Sequence, residues 1–252
     1  MKVKVTPSKV HGNVKIPASK SMAHRALICA SLSDGTSIVS NVTNSKDIEA
    51  TVGCMKALGA IIKQIDETTY EVTGTNLFKQ EGNITCNANE SGSTLRFLIP
   101  LAACTNAKVK FLGQGRLLQR PMDVYANEFK KQNIEFNQSD KEIIVSGNLQ
   151  AKDYVVQGNI SSQFITGFMF VLPLLNQDST LTITEPYESK SYVNLTIQML
   201  AKFGIEILET SSNSYLIKPL ISLIHLQKDW VKILAKIPKP VFSLLIAESC
   251  SG

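Results

Sequence analysis

The sequence predicts an α/β fold built from three copies of one βαβαββ unit. Three observations carry the prediction. Ser-rich helix starts recur at intervals of about 70 residues, at Ser19-Lys20-Ser21, Ser91-Gly92-Ser93 and Ser161-Ser162-Gln163. Asp47 to Gly59 and Tyr192 to Gly204 superpose without a gap at a shift of 145. The same shift carries Tyr70-Glu71-Val72 onto Tyr215-Leu216-Ile217. Such units cannot bury their apolar faces alone, so the copies are expected to pack into one body.

The first unit opens on Pro17 to Leu27, a run that gathers Lys20, Ser21 and Arg25 at a helix start. Its second helix is Asp47 to Gly59, where Ile48, Val52 and Met55 keep amphipathic spacing and Gly59 stands where a C-cap belongs. Tyr70-Glu71-Val72 belongs to its closing hairpin. The second unit opens at Ser91-Gly92-Ser93-Thr94-Leu95-Arg96. Its second helix is Asp123 to Gln132, its hairpin strands are Ile134-Glu135-Phe136 and Ile143-Ile144-Val145, and Gly147 matches Gly74 at a shift of 73. The third opens at Ser161-Ser162-Gln163-Phe164. The apolar stretch Phe164 to Leu175 reads as a core helix containing Pro173, too short for the ~18 residues that a membrane span needs. Tyr192 to Gly204 and Tyr215-Leu216-Ile217 complete the unit, so the repeats cover residues 12–218.

A helix N-terminus leaves backbone N–H groups unpaired and carries partial positive charge, which makes it a ready anion site. Two of the three starts carry an arginine one turn in, Arg25 and Arg96. Together they point to a polyanionic small molecule, most simply a phosphate ester. Arginine offers two parallel donors to phosphate or carboxylate, and Lys20 is a compact cation. Ser21, Ser161 and Ser162 offer hydroxyls and can also cap their helices. Gln163 offers an amide. Gly92 lets a ligand approach the backbone where a Cβ would collide. Arg120 precedes Pro121, which fixes extended or turn geometry ahead of a helix. His24, beside Arg25, reads as structural rather than as a general base. Taken singly, each has a plainer reading as an exposed lysine, a surface ion pair, a turn glycine or a cap. The triplicate pattern is what favours a site.

Composition narrows the classes. With 252 residues the chain has room for one or two domains and a sizeable core. Its net charge of +5 is mild and no basic run stands out, so no nucleic-acid partner is expected. The five cysteines form no C-x-x-C pair, which fits reduced thiols in the cytoplasm. The three histidines are scattered, so no metal is expected. No apolar stretch is long enough for a membrane span.

Five ordered motifs resemble those of the 5-enolpyruvylshikimate-3-phosphate synthases, a family of enolpyruvyl transferases. Lys20-Ser21 with Arg25 matches K-S-x-x-x-R, and Gly92 to Arg96 resembles G-T-x-x-R. Arg120-Pro121-Met122 matches R-P-[MI], Ser161 to Phe164 matches S-S-Q-F, and Ser189-Lys190-Ser191-Tyr192 resembles S-K-P-Y. Order and spacing agree from Met1 to about Lys218.

The resemblance implies an α/β prism (an inverse α/β barrel) for these three units, in a family that pairs two such domains. It implies transfer of the enolpyruvyl group of phosphoenolpyruvate to the 5-hydroxyl of shikimate 3-phosphate, without metal or organic cofactor, by a protein that is monomeric at full length. Lys20, Ser21, Arg25, Ser161, Ser162, Gln163, Ser189 and Tyr192 would hold shikimate 3-phosphate. Lys20, Gly92, Arg96, Arg120 and Gln163 would face phosphoenolpyruvate, with Lys20 the catalytic residue. Two rival readings are a half-protein that holds shikimate 3-phosphate without turnover, and the relative that acts on UDP-N-acetylglucosamine. That relative has a Lys-Asn pair at the first motif, whereas Lys20-Ser21 stands here.

The sequence also departs from the family. Pro17-Ala18 replaces Pro-Gly, Glu90-Ser91 stands where Asn-Ala or Asn-Ser is common, and Ser191 replaces a proline. In the family a strand like residues 1–11 joins the second domain. Residues 219–252 resemble neither the repeat nor the family's continuation, and read as the tail of a truncated or frame-shifted product or as a natural insertion.

Overall fold

The computed structural model describes Lys4, residues 18–220 and residues 243–244. The first unit runs α1 (Lys20–Leu32), β1 (Thr36–Val39), α2 (Lys46–Ala57), β2 (Ile61–Asp66) and β3 (Thr69–Thr73). The second runs β4 (Glu81–Asn87), α3 (Gly92–Ala102), β5 (Asn106–Leu112), α4 (Asp123–Lys130), β6 (Glu135–Gln138) and β7 (Ile143–Ser146). The third repeats that order as β8 (Asp153–Gln157), α5 (Ser162–Val171), β9 (Ser179–Thr184), α6 (Lys190–Lys202), β10 (Ile207–Ser211) and β11 (Ser214–Ile217). A two-residue strand, β12 (Ser243–Leu244), follows.

Each unit belongs to a separate four-stranded sheet, the second and third units supplying all four strands and the first unit three, with β12 as the fourth. The orders are β4-β5-β7-β6, β8-β9-β11-β10 and β12-β1-β3-β2. In each, the first neighbouring pair is parallel and the other two are antiparallel. A parallel pair needs a crossover, and α3 and α5 supply it. In the first sheet β12 holds the place beside β1 that β4 and β8 hold in theirs. The strand expected over residues 1–11 and the tail expected over 219–252 lie outside the described residues, apart from Lys4, Pro219, Leu220 and β12.

The expected helix starts and stops follow from capping. Ser19, Ser91 and Ser161 are the N-caps of α1, α3 and α5, and each hydroxyl accepts a first-turn N–H. Gly59 and Gly204, equivalent at the shift of 145, both take positive φ just past α2 and α6. Two expected helices come out shorter. α5 ends at Val171 and tightens into a 3-10 turn at Leu172–Leu174, because Pro173 has no N–H to continue the ladder. α4 ends at Lys130, short of Gln132, and Asn133 turns the chain at φ 55°.

Burial separates the helices into two kinds. α1, α3 and α5 are buried along most of their length, whereas α2, α4 and α6 bury one face. Phe97, Phe164 and Phe168 are each within 1% of full burial, and burial of such a side chain stabilises by roughly 1.5–3 kcal/mol. Tyr125 of α4 meets Phe164 and Phe168 edge-on at 5.0 and 5.4 Å between ring centres. Its hydroxyl donates to the Arg96 carbonyl at 2.7 Å, which fastens α4 onto α3.

Candidate anion site at the helix starts

The starts of the three buried helices are joined to one another. Gln163, in the first turn of α5, reaches α3 with both ends of its amide. Its Nε2 donates to Ser93 Oγ at 2.9 Å and its Oε1 accepts from Arg96 Nη1 at 2.7 Å. Arg25 of α1 donates from Nη2 to Thr166 Oγ1 of α5 at 3.3 Å and to the Tyr192 carbonyl of α6 at 3.0 Å. Lys20 Nζ meets Asp47 Oδ2, at the start of α2, at 2.6 Å.

Arg25 is the most enclosed of the cations, with 3% of its surface exposed. Besides the two Nη2 bonds, Nε donates to Thr196 Oγ1 at 2.8 Å and Nη1 to the Ser21 carbonyl at 2.8 Å. Phe97 lies 5.2 Å from its guanidinium carbon. Every acceptor is neutral. Burial therefore pulls its pKa down from 12.5 to about 10, so it remains charged at neutral pH.

Arg96 and Arg120 meet at Gly92. A Cβ at Gly92 would sit 2.7 Å from Arg120 Nη1, 3.7 Å from Arg96 Nη1 and 3.8 Å from Gln163 Oε1. Burial lowers the pKa of Arg96, and the charge on Arg120 lowers it further. The Arg96 Nε is buried and unpartnered, while its guanidinium stacks 5.0 Å from the Phe164 ring centre. Among the described residues every ion pair is made by a lysine. Arg25, Arg96 and Arg120 make none of them. The buried Arg25 and the half-buried Arg96 thus stand without a counter-ion beside helix N-termini, with the exposed Arg120 adjacent to Arg96. A bound polyanion would supply what is missing.

The remaining expected site residues divide. Ser161 caps α5 through its Oγ, which accepts from Gln163 N at 3.3 Å. Ser21 and Ser162 were expected to serve as caps as well, but Ser19 and Ser161 occupy the cap positions, since each precedes its helix in extended backbone. Ser189 precedes α6 in a left-handed conformation, φ 57°, and its side chain makes no cap bond. Tyr192 joins the site through its carbonyl, and the residue is 49% exposed. His24 is buried, with Nδ1 2.7 Å from Thr51 Oγ1, and burial pulls its pKa to about 4. At neutral pH it is an uncharged packing group.

Sequence reasoning missed the threonines. Thr51 and Thr196 coincide at the shift of 145, and each meets a buried residue five places beyond an N-cap, His24 and Thr166 respectively. A polar residue recurring in phase with an apolar stripe was the available signal. A groove of about 590 Å³ lies at the other end, lined by Leu32, Phe170, Leu174 and Phe203. It borders Leu220, the last described residue of that stretch, and shares no residue with the helix starts. No helix is long and apolar enough to cross a membrane, and no group of three metal-binding side chains occurs, among the described residues.

Comparison with known proteins agrees over most of the chain. The profile of the family described as EPSP synthase (3-phosphoshikimate 1-carboxyvinyltransferase) matches residues 5–231. A curated 3-phosphoshikimate 1-carboxyvinyltransferase of Clostridium perfringens is 47% identical over 219 residues, which is 86% of this chain and 51% of the relative. One from Clostridioides difficile is 44% identical over 229 residues, 86% of this chain and 52% of the relative. The chain thus spans about half the length of the curated relatives it matches. Among solved structures, an EPSP synthase of Acinetobacter baumannii superposes with a TM-score of 0.68 at 20% identity. The superposition covers 83% of this chain and 47% of that one, and shows a shared fold.

Proposed function

This chain belongs to the EPSP synthase family, and on that premise we propose that it serves transfer of the enolpyruvyl group of phosphoenolpyruvate to the 5-hydroxyl of shikimate 3-phosphate. The observation that carries the reading is Arg25: a residue 3% exposed, whose guanidinium donates to neutral acceptors and makes no ion pair among the described residues. A buried charge without a counter-ion is costly, and a phosphate ester would remove that cost.

In this reading Lys20, Ser21, Arg25, Ser161, Ser162, Gln163, Ser189 and Tyr192 hold shikimate 3-phosphate. The hydroxyls of Ser21 and Ser162 make no hydrogen bond to the described residues, so they are available to a ligand. Gly92, Arg96, Arg120 and Gln163 face phosphoenolpyruvate, whose phosphate and carboxylate would offset the two adjacent guanidinium groups. Lys20, the proposed catalytic residue, would stabilise charge developing as the group transfers. A cytoplasmic setting fits the free thiols of Cys29, Cys54, Cys86 and Cys104.

Titration calorimetry tests the reading with shikimate 3-phosphate and, separately, with shikimate. Binding of the phosphate ester with far weaker binding of shikimate supports it. Equal affinities, or no binding of either, would refute it.

A further inference from the structure

We propose that Asp47 is a positioning residue, whose carboxylate holds Lys20 in place at the start of α1 while its backbone is anchored to α3. The proposal rests on the reading above in one respect, that Lys20 faces the ligands.

Two groups of Asp47 act on two different helices. Its Oδ2 accepts from Lys20 Nζ at 2.6 Å, and its carbonyl accepts from Thr94 Oγ1 of α3 at 3.3 Å. Thr94 is fixed in turn. Its Oγ1 lies 2.7 Å from Thr51 Oγ1 of α2 and 2.7 Å from Oγ of Ser91, the cap of α3. Thr51 and Thr94 are fully buried, so these hydroxyls have no water to turn to. The carboxylate therefore hangs from a backbone tied at residue 47 to the start of α3, beside Gly92. Lys20 remains 55% exposed along its side chain and Asp47 31%.

An exposed pair of this kind adds little to stability. Its effect is on the lysine's freedom. A lysine side chain is rich in rotamers, and a partner that fixes it beforehand lowers what a ligand must overcome. A carboxylate beside an anion site also repels the ligand. The two effects have opposite signs, so the direction of the change on a single substitution shows which prevails.

Asp47→Asn keeps the shape and removes the charge. If the carboxylate merely competes for Lys20, the variant binds shikimate 3-phosphate more tightly. If it positions Lys20, binding weakens about fivefold or more and Asp47→Glu recovers most of the loss. A second measurement needs no ligand. Reductive ¹³C-dimethylation leaves lysines charged, and Lys20 is expected to give a signal displaced from the exposed lysines that moves back among them in Asp47→Asn. A Lys20 signal unaffected by the substitution, or binding as tight or tighter in Asp47→Asn, overturns the proposal. Failure of the wild-type chain to bind shikimate 3-phosphate would instead sink the functional reading, and the Lys20 signal would still decide the role of Asp47.

Discussion

Arg25 Nε donates to Thr196 Oγ1 at 2.8 Å, joining residues 171 positions apart in sequence. Thr196 Oγ1 in turn lies 2.9 Å from Thr166 Oγ1, so one hydroxyl ties α1 to both α5 and α6. The bond closes the third unit onto the first, and it does so at the buried charge on which the functional reading depends.

Arg25→Ala is expected to fail in two ways. It removes four hydrogen bonds at a junction of α1, α5 and α6. Separately, it removes the proposed charge-assisted contact to the phosphate, which contributes about 1.5–3 kcal/mol, so affinity for shikimate 3-phosphate should fall tenfold or more. Urea unfolding should show a lower midpoint as well. Calorimetry that returned wild-type affinity would take Arg25 out of the site.

Gly92→Ala is expected to spare the fold and disturb Arg120. The added methyl meets Arg120 Nη1 at 2.7 Å, the tip of an exposed and flexible side chain that can give way. Thermal stability should stay near wild type. In a protein of the relatives' full length, KM for phosphoenolpyruvate should rise more than KM for shikimate 3-phosphate. Equal increases would place Gly92 elsewhere.

His24 should make stability fall early on acidification. Burial is the main reason its pKa is about 4 rather than 6.5. Lys20 and Arg25 lower it further, while Asp47 opposes them. The unfolded chain therefore binds a proton that the folded one refuses between these values, and stability drops as pH falls from about 6.5 to about 4. The full effect is of order 3 kcal/mol. Glu128, whose pKa is lowered despite burial by hydrogen bonds to Lys152 and Lys131, loses its contribution only as pH falls below 4.5. Denaturation of wild type and His24→Asn across this range checks the assignment, since only wild type should show the earlier slope.

Gly167→Ala is expected to damage the crossing of α3 and α5. A Cβ there collides with the Tyr125 hydroxyl and comes within 2.7 Å of the Arg96 carbonyl, the two partners of one hydrogen bond. Overpacking a tight core costs about 1–3 kcal/mol, and here a buried hydrogen bond is strained besides. A variant as stable as wild type in urea would show that the crossing has slack.

What could be read in advance was what is local or periodic. The three helix starts, the cap Ser161, the positive-φ glycines at 59 and 204, and the strands at residues 70–72, 143–145 and 215–217 all follow from short-range chemistry and repetition, whereas the caps of α1 and α3 fall on Ser19 and Ser91 rather than on Ser21. Arg25, Arg96 and Arg120 could be named as cations at helix starts. Their surroundings could not, because Thr166, Thr196 and Gln163 reach them from other units and sequence spacing does not fix such contacts. Lys20 reads as free in the sequence, and only the packing of α1 against α2 brings Asp47 to it. The end of α5 was misjudged by an apolar run that continued past a proline the helix could not absorb.

Threefold repetition would, left to itself, present three equal faces to a ligand. The side chains undo that equivalence. α1 carries Lys20 and Arg25, α3 carries Arg96 with Arg120 alongside, and the start of α5 offers only hydroxyls and an amide from Ser161, Ser162 and Gln163. At the position five beyond each cap stand an imidazole, a guanidinium and a hydroxyl, in His24, Arg96 and Thr166. The potential at this end is therefore lopsided. A small molecule with one strongly anionic end and one neutral, hydroxylated end would find a single preferred heading among three similar backbones, so that the scaffold supplies the address and its broken symmetry supplies the orientation.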